Sequence, residues 1–268
     1  MAWIKQQTRW QEHTQALPKQ FDPDLTVPHL HFDAQALHQE LRTLMARYGP
    51  VCWRSQAPGA LWGLSLSYNP QAPVDEWHRG SFGHPRYRSL AASAYFTAPE
   101  QERDTAPRGD YLDSLGFRRL LPEIDHLPAL RELFARFAMP VVRCSVRVID
   151  GERVWPTVDS TGGMHCDDSP FEVLRLNLCI TGSADLGLQY AGCAPMVLPA
   201  GAHRVINTDV PHRVWAAKRS PGLRMHLIVG LTPWLNHDPA CDVWSLNAHF
   251  ATTHPYDLVR RHGVWRSR

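Results

Sequence analysis

The sequence predicts a mainly β protein, a sandwich or barrel with flanking helices. Six short apolar-alternating runs, residues 173–181, 186–190, 195–198, 203–207, 212–217 and 223–231, are separated by Gly, Pro, Asn and Asp. A longer strand-like run, 141–149, precedes them, and both clearly helical segments fall before residue 140. Many short, evenly spaced strands bury their apolar faces only by closing into a barrel or stacking as two layers. We read one domain over 1–268: residues 1–140 supply an N-terminal arm, helices and outer strands, 141–232 the core, and 233–268 a C-terminal helical tail.

Bulk properties narrow the class. With 268 residues, 44% hydrophobic and 20% charged, the chain has an ordinary globular composition. A formal net charge of +2 gives no electrostatic reason to expect nucleic acid or an anionic membrane as partner. No apolar run approaches the roughly 20 residues that span a bilayer, and the start, Met1-Ala2-Trp3-Ile4-Lys5, turns polar at once, unlike a secretory signal. Six Cys without C-x-x-C spacing argue against a disulfide framework or structural zinc site and leave a reducing cytoplasm as the default. Any metal chemistry must then use the 15 His and the carboxylates.

Taken in order, residues 1–30 are polar, Pro-containing and aperiodic, an arm lying over the body. A helix follows: Asp33 caps it, Leu37, Leu41, Leu44 and Met45 recur at helical spacing, and Gly49-Pro50 ends it. Val51–Arg54 and Leu61–Tyr68 read as strands, stopped by Asn69-Pro70. Residues 70–112 form a long irregular segment with scattered aromatics, the kind that walls a pocket; Trp77, His78, Arg79 and Arg88 are its candidates to meet an acidic substrate. A second helix is expected over 127–138, with Leu130, Leu133, Phe134 and Phe137 on one face. The last 35 residues hold two weak helical patches and basic side chains.

The chemistry is sought at His165-Cys166-Asp167. Residues i and i+2 of an extended chain share a face, so an imidazole and a carboxylate project together. They make two thirds of the 2-His-1-carboxylate set that holds non-haem Fe(II) while leaving positions open. Asp168, through H-x-x-D, competes with Asp167. For the third ligand His212, 212 − 167 = 45 residues on, competes with His203 and His226. Each residue alone has an ordinary explanation as a solvated loop or core side chain, and only the combination is specific. Two runs supply more polar groups. Val173, Arg175, Asn177 and Cys179 share one strand face, with Leu174, Leu176, Leu178 and Ile180 on the other; Arg224 and His226 share a face opposite Met225, Leu227 and Val229. A polar face bracketed by apolar groups suits a small, partly buried anion, and arginine binds a carboxylate with two parallel hydrogen bonds. Arg224 follows His212 by 224 − 212 = 12 residues, a step read as a hairpin with the two on neighbouring strands.

The run from Arg143 to Leu231, about a third of the chain, resembles the Fe(II)- and 2-oxoglutarate-dependent oxygenases. Within them it is most similar to the aspartyl/asparaginyl β-hydroxylase-like group, which includes the cis-proline hydroxylases. The matching pieces are His165-Cys166-Asp167, Arg175-Leu176-Asn177-Leu178, Val210-Pro211-His212 and Leu223-Arg224-Met225-His226-Leu227. The resemblance implies a double-stranded β-helix (jelly roll, cupin-like) with helices on its outer face. It implies Fe(II) on His165, Asp167 and His212, the distal carboxylate of 2-oxoglutarate on Arg224, and Arg175 as a second basic residue near the cosubstrate. Asn177 stands where the family often has His; its amide still donates a hydrogen bond to a carboxylate. The implied reaction is hydroxylation of an unactivated C–H bond, with O2 consumed and succinate and CO2 released. The substrate would be an amino acid, an amino-acid residue in a peptide, or a related small molecule. The presence of Asp167 argues against a halogenase, which leaves that coordination position for halide. Two rivals share the barrel: a non-redox cupin-type metal protein (an isomerase or ligand-binding module), and a non-catalytic interaction module.

Overall fold

The computed structural model describes residues 8–49, 51–52, 61–79, 114–154, 164–167, 169–217, 222–261 and 263–266. After a short helix α1 (Trp10–Ala16), the chain reaches α2 (Ala34–Tyr48). The Asp33 carboxylate accepts from the amides of Gln35 and Ala36, both at 2.9 Å, satisfying donors that have no partner within the helix. Gly49 closes it with φ 74°, its N–H donating to the Met45 carbonyl at 2.9 Å. The buried stripe is the expected one, Leu37, Leu41, Leu44 and Met45.

Strands β1 (Val51–Cys52), β2 (Leu61–Ser65), β3 (Ser67–Tyr68) and β4 (Arg119–Leu120) precede helix α3 (Pro128–Ala135). Pro128 opens α3 where a missing N–H costs nothing. The Glu40 carboxylate of α2 caps the next two amides, Ala129 at 2.9 Å and Leu130 at 2.8 Å, so the two helices dock through one side chain. The helix is shorter than the expected 127–138. The remaining strands are β5 (Val141–Asp150), β6 (Leu174–Thr181), β7 (Leu186–Tyr190), β8 (His203–Ile206), β9 (His212–Ala216), β10 (Leu223–Leu231), β11 (Leu235–Asp238) and β12 (Val243–Leu246), before α4 (Pro255–Arg260).

Eight of the strands build two layers, while β3 with β4 and β11 with β12 form separate pairs. The larger is an antiparallel sheet in the order β1-β2-β5-β10-β6-β8. In the second, β9 pairs with β7, and bridges from His165 to His212 and from Leu188 to Met196 extend it by one strand on each side. Strands β6 to β10 thus alternate between layers, the winding of a double-stranded β-helix. Of the expected run 195–198, Met196 alone makes a bridge.

Period-2 alternation splits the large sheet into two faces. Cys144, Val146 and Val148 of β5, Leu174 to Ile180 at alternate positions of β6, and Met225, Leu227, Val229 and Leu231 of β10 pack with α2 and α3 in the main core. The opposite face turns toward the second layer: Leu61 and Ile149 meet Leu186 and Ala216 across the gap. Gly63 lets β2 lie against β5, because a Cβ there would come 2.0 Å from the Val146 carbonyl oxygen.

Three expectations are corrected. The 12-residue step from His212 to Arg224 is no hairpin: β9 pairs with β7, and β10 pairs with β5 and β6. The chain crosses between layers there because barrel closure, not chain proximity, selects partners. The tail carries the β11–β12 hairpin as well as α4; Trp244 of that hairpin stacks on His237. Trp77 and His78 belong to the helix-covered side, with Trp77 stacked on Tyr68 at 3.8 Å and His78 on Tyr48 of α2 at 5.0 Å. Aromatic area in an irregular segment has packed there against the nearest apolar surface. Arg88 and residues 80–112 of that segment lie outside the described residues, as does Asp168.

Candidate metal centre

His165 and Asp167 sit on an extended segment at the margin of the second layer. The His165 N–H donates to the His212 carbonyl at 3.0 Å, the His212 N–H returns to the His165 carbonyl at 2.9 Å, and the Asp167 N–H donates to the Thr208 carbonyl at 3.0 Å. This ladder places the i, i+2 pair of one strand beside His212 of the next. Ligand atoms of His165, Asp167 and His212 all lie within 4.8 Å of one another, and His212 Nε2 is 3.6 Å from Asp167 Oδ2. No other grouping of three or more His, Cys, Asp or Glu with metal-binding spacing occurs among the described residues.

The donor chemistry fits a divalent metal. His212 Nδ1 is 2.9 Å from the Val210 carbonyl oxygen, an acceptor, so Nδ1 carries the proton and the Nε2 lone pair is left for a metal. Burial alone would raise the Asp167 pKa; the Arg175 guanidinium, joined by Arg147, overrides it and holds the carboxyl well below the usual carboxylate range. The carboxylate side chain keeps 29% exposure while the Arg175 side chain keeps 8%, so the charge pair lies at the barrel mouth with the cation on its inner side. Arg175 hydrogen-bonds the same Asp167 oxygen that faces His212. Cys166, between the two ligands, points away; its exposed thiol reaches the Asp209 carbonyl.

The inner face of the large sheet adds Arg147, Arg175, Asn177, Arg224 and His226. Register aligns them: His226 lies opposite Arg147 on one side and Cys179 on the other. Asn177 Oδ1 is 2.7 Å from His226 Nδ1 and can only accept, so that nitrogen donates. Burial first, then Arg224 and Arg147, pushes the His226 pKa well below the ordinary value, so this imidazole is neutral. Arg224 is 2% exposed; burial lowers its guanidinium to about 10, opposed in part by Cys179 beside it. Arg224 Nε and His226 Nε2 are buried with no hydrogen-bond partner. Buried polar atoms left bare cost about 1–3 kcal/mol each, and these two line the barrel interior, where a ligand would satisfy them.

His165, Asp167 and His212 are therefore brought together, with Arg175 on Asp167. Arg224 and Asn177 lie on the facing wall. The competitor His203 is taken up elsewhere, 3.1 Å from the Val27 amide nitrogen and carbonyl oxygen of the arm. Arg147 was missed. The alternation of Arg143, Ser145, Arg147 and Ile149 on β5 carried the signal, since it repeats the polar-in pattern of β6 and β10.

No known family model matches the chain, and no curated protein sequence does. Solved structures similar to it include the non-haem α-ketoglutarate-dependent epimerase SnoN from nogalamycin biosynthesis, at 12% identity over 74% of this chain and 71% of that one, TM-score 0.37. An RmlC-like cupin protein from Desulfovibrio desulfuricans is 17% identical over 37% of this chain and 85% of its own, TM-score 0.23. Fe(II) HppE is 17% identical over 34% of this chain and 42% of its own, TM-score 0.24. These likenesses carry no argument about activity, which rests on the chain's own residues.

Proposed function

We propose that the protein is an Fe(II)- and 2-oxoglutarate-dependent dioxygenase that hydroxylates an unactivated C–H bond. Its substrate is an amino acid, an amino-acid residue in a peptide, or a related small molecule. The observation that carries this reading is Arg224: a charged guanidinium, 2% exposed, on the wall facing a 2-His-1-carboxylate donor set, with no carboxylate partner among the described residues. A metal site that only binds or isomerises a neutral ligand has no use for that charge. A dicarboxylate bound at the donor set would answer it with its far carboxylate.

On this reading His165, His212 and Asp167 would hold Fe(II), the 2-His-1-carboxylate donor set suited to non-haem iron. Bound there with 2-oxoglutarate, the iron supplies oxidative decarboxylation to succinate coupled to O2 activation. The chain's residues do the rest. Val210 keeps His212 in the ligating tautomer, Arg175 keeps Asp167 ionised and oriented, and Arg224 anchors the distal carboxylate. The apolar wall of Ile149, Leu186 and Ala216 excludes water from one side of the space between the layers.

The test is succinate release from 2-oxoglutarate by purified protein with Fe(II) and O2, screened with amino acids and short peptides. Iron-dependent succinate that rises with one substrate class supports the proposal. Tight metal binding with no turnover of 2-oxoglutarate under any condition overturns it in favour of a non-redox metal protein.

A further inference from the structure

We infer that the loop from Asn207 to Pro211, held from outside by Tyr190 and by Gln20 of the N-terminal arm, is the positioning element of the metal centre. Three of its carbonyls serve the ligand segment. Thr208 accepts the Asp167 N–H at 3.0 Å, Asp209 accepts the Cys166 thiol at 3.4 Å, and Val210 accepts from His212 Nδ1 at 2.9 Å. One short stretch of backbone thus sets Asp167, the chain between it and His165, and the ring orientation of His212.

The loop does not stand alone. Its first residue is buried at 2% exposure, and the Asn207 N–H donates to the Tyr190 hydroxyl at 2.8 Å. The Asn207 side chain works in both directions: Oδ1 accepts the Asp209 N–H at 3.2 Å, and Nδ2 donates to the Gln20 carbonyl at 3.0 Å. Gln20 is in turn held by α4, its side chain accepting from Arg260 at 2.7 Å and donating to Asp257 at 3.1 Å. Tyr190, 1% exposed, lies directly opposite His212 in the β7–β9 ladder, its ring 6.0 Å from the imidazole and 5.1 Å from Phe21 of the arm. Burial raises its pKa to about 12, so the hydroxyl stays protonated and neutral while it accepts. The arm, 187 residues away in sequence from Asn207, is therefore joined to the ligands by hydrogen bonds through Asn207 and by ring contact through Tyr190. Tyr190 and Asn207 are positioning residues: they act through carbonyl placement. The inference rests on the metal centre of the proposed function and not on its oxygen chemistry.

The test uses the full-length protein with Co(II), which follows Fe(II) in the affinity order of first-row metals and reports ligand geometry in its visible spectrum. Tyr190→Phe removes the acceptor for the Asn207 N–H and keeps the ring. Asn207→Asp keeps the Oδ1 acceptor, removes the donor to Gln20 and is the second probe if the first fails to fold. Each is expected to weaken Co(II) binding by about 10- to 100-fold, the usual effect of losing an outer partner of a ligand, and to alter the Co(II) spectrum. Leu41→Ala, under α2 on the far face, lowers Tm with Co(II) affinity and spectrum unchanged. If the folded variants bind Co(II) as the parent does, with only Tm reduced, the positioning role is overturned while the metal centre stands. If the parent protein binds no divalent metal, the metal centre falls and this inference with it.

Discussion

Arg224 separates stability from function. Its guanidinium is pushed by burial to about 10, against an ordinary value of about 12.5, and at about 1.4 kcal/mol per pKa unit the buried charge costs the fold on the order of 3–4 kcal/mol. The sign follows from linkage. A base whose pKa is lower in the folded state binds its proton more tightly when unfolded, so at any pH below about 10 the charge opposes folding. Arg224→Met keeps much of the volume and removes the charge. The metal-free variant should therefore hold or raise its Tm, by as much as about 6–16 °C at about 2–4 °C per kcal/mol. Replacing a buried charge with a well-packed apolar side chain is commonly neutral or stabilising. The same change removes a partly buried, charge-assisted contact to the cosubstrate, roughly 2–5 kcal/mol, so the 2-oxoglutarate concentration for half-maximal succinate release should rise about 30- to 4,000-fold. Metal affinity, set by the facing layer, should change little. Calorimetry of the metal-free protein and a 2-oxoglutarate titration of turnover decide it. A variant that loses stability and keeps its cosubstrate requirement would show Arg224 to be structural and move the anion site to Arg147 or Arg175.

Asp167→Ala and His212→Ala should each abolish succinate formation with and without substrate while circular dichroism stays that of the folded protein; full turnover by either at saturating Fe(II) would exclude the proposed donor set. Proton competition for imidazole nitrogens should weaken metal binding as pH falls, whereas Asp167, held well below the carboxylate range, stays ionised over the same range. Its depressed pKa contributes stability that is present above the ordinary carboxylate value and lost only as pH falls through the lower folded value. Arg175→Ala removes the main force depressing that pKa, so metal binding should become sensitive to acid at a higher pH, read from Co(II) titrations at stepped pH. Gly63→Ala would drive a Cβ to 2.0 Å from the Val146 carbonyl oxygen; with backbone on both sides, the β2–β5 pairing should open and stability fall by at least about 1–3 kcal/mol in chemical denaturation.

Local periodicity was enough for most elements. The Leu37/Leu41/Leu44/Met45 stripe with its Asp33 cap, and the strands at 173–181, 186–190 and 223–231, are written in residues a few positions apart, so they survive any tertiary context that buries one face. The same alternation made the polar faces of β6 and β10 legible, and the i, i+2 spacing put His165 and Asp167 on one side. Helix α1 and the β11–β12 hairpin were not legible, because Trp10 and Trp234 form a short apolar contact far apart in sequence (ring centroids 5.3 Å apart) and neither segment is long enough to show a period.

By itself the sequence determined which residue types could meet a metal, which strand faces were polar, and that the chain must close a β core. Tertiary structure alone decided the partners. It set His212 beside β7 and His165 rather than beside Arg224, gave Arg175 to the Asp167 carboxylate, and turned Arg147 inward toward the same space. It also tied the arm to the ligands through Asn207. The reason is physical: alternation is a property of neighbours in the chain, whereas strand pairing and charge pairing are selected by closure of the barrel, which brings together groups that no short window of sequence contains.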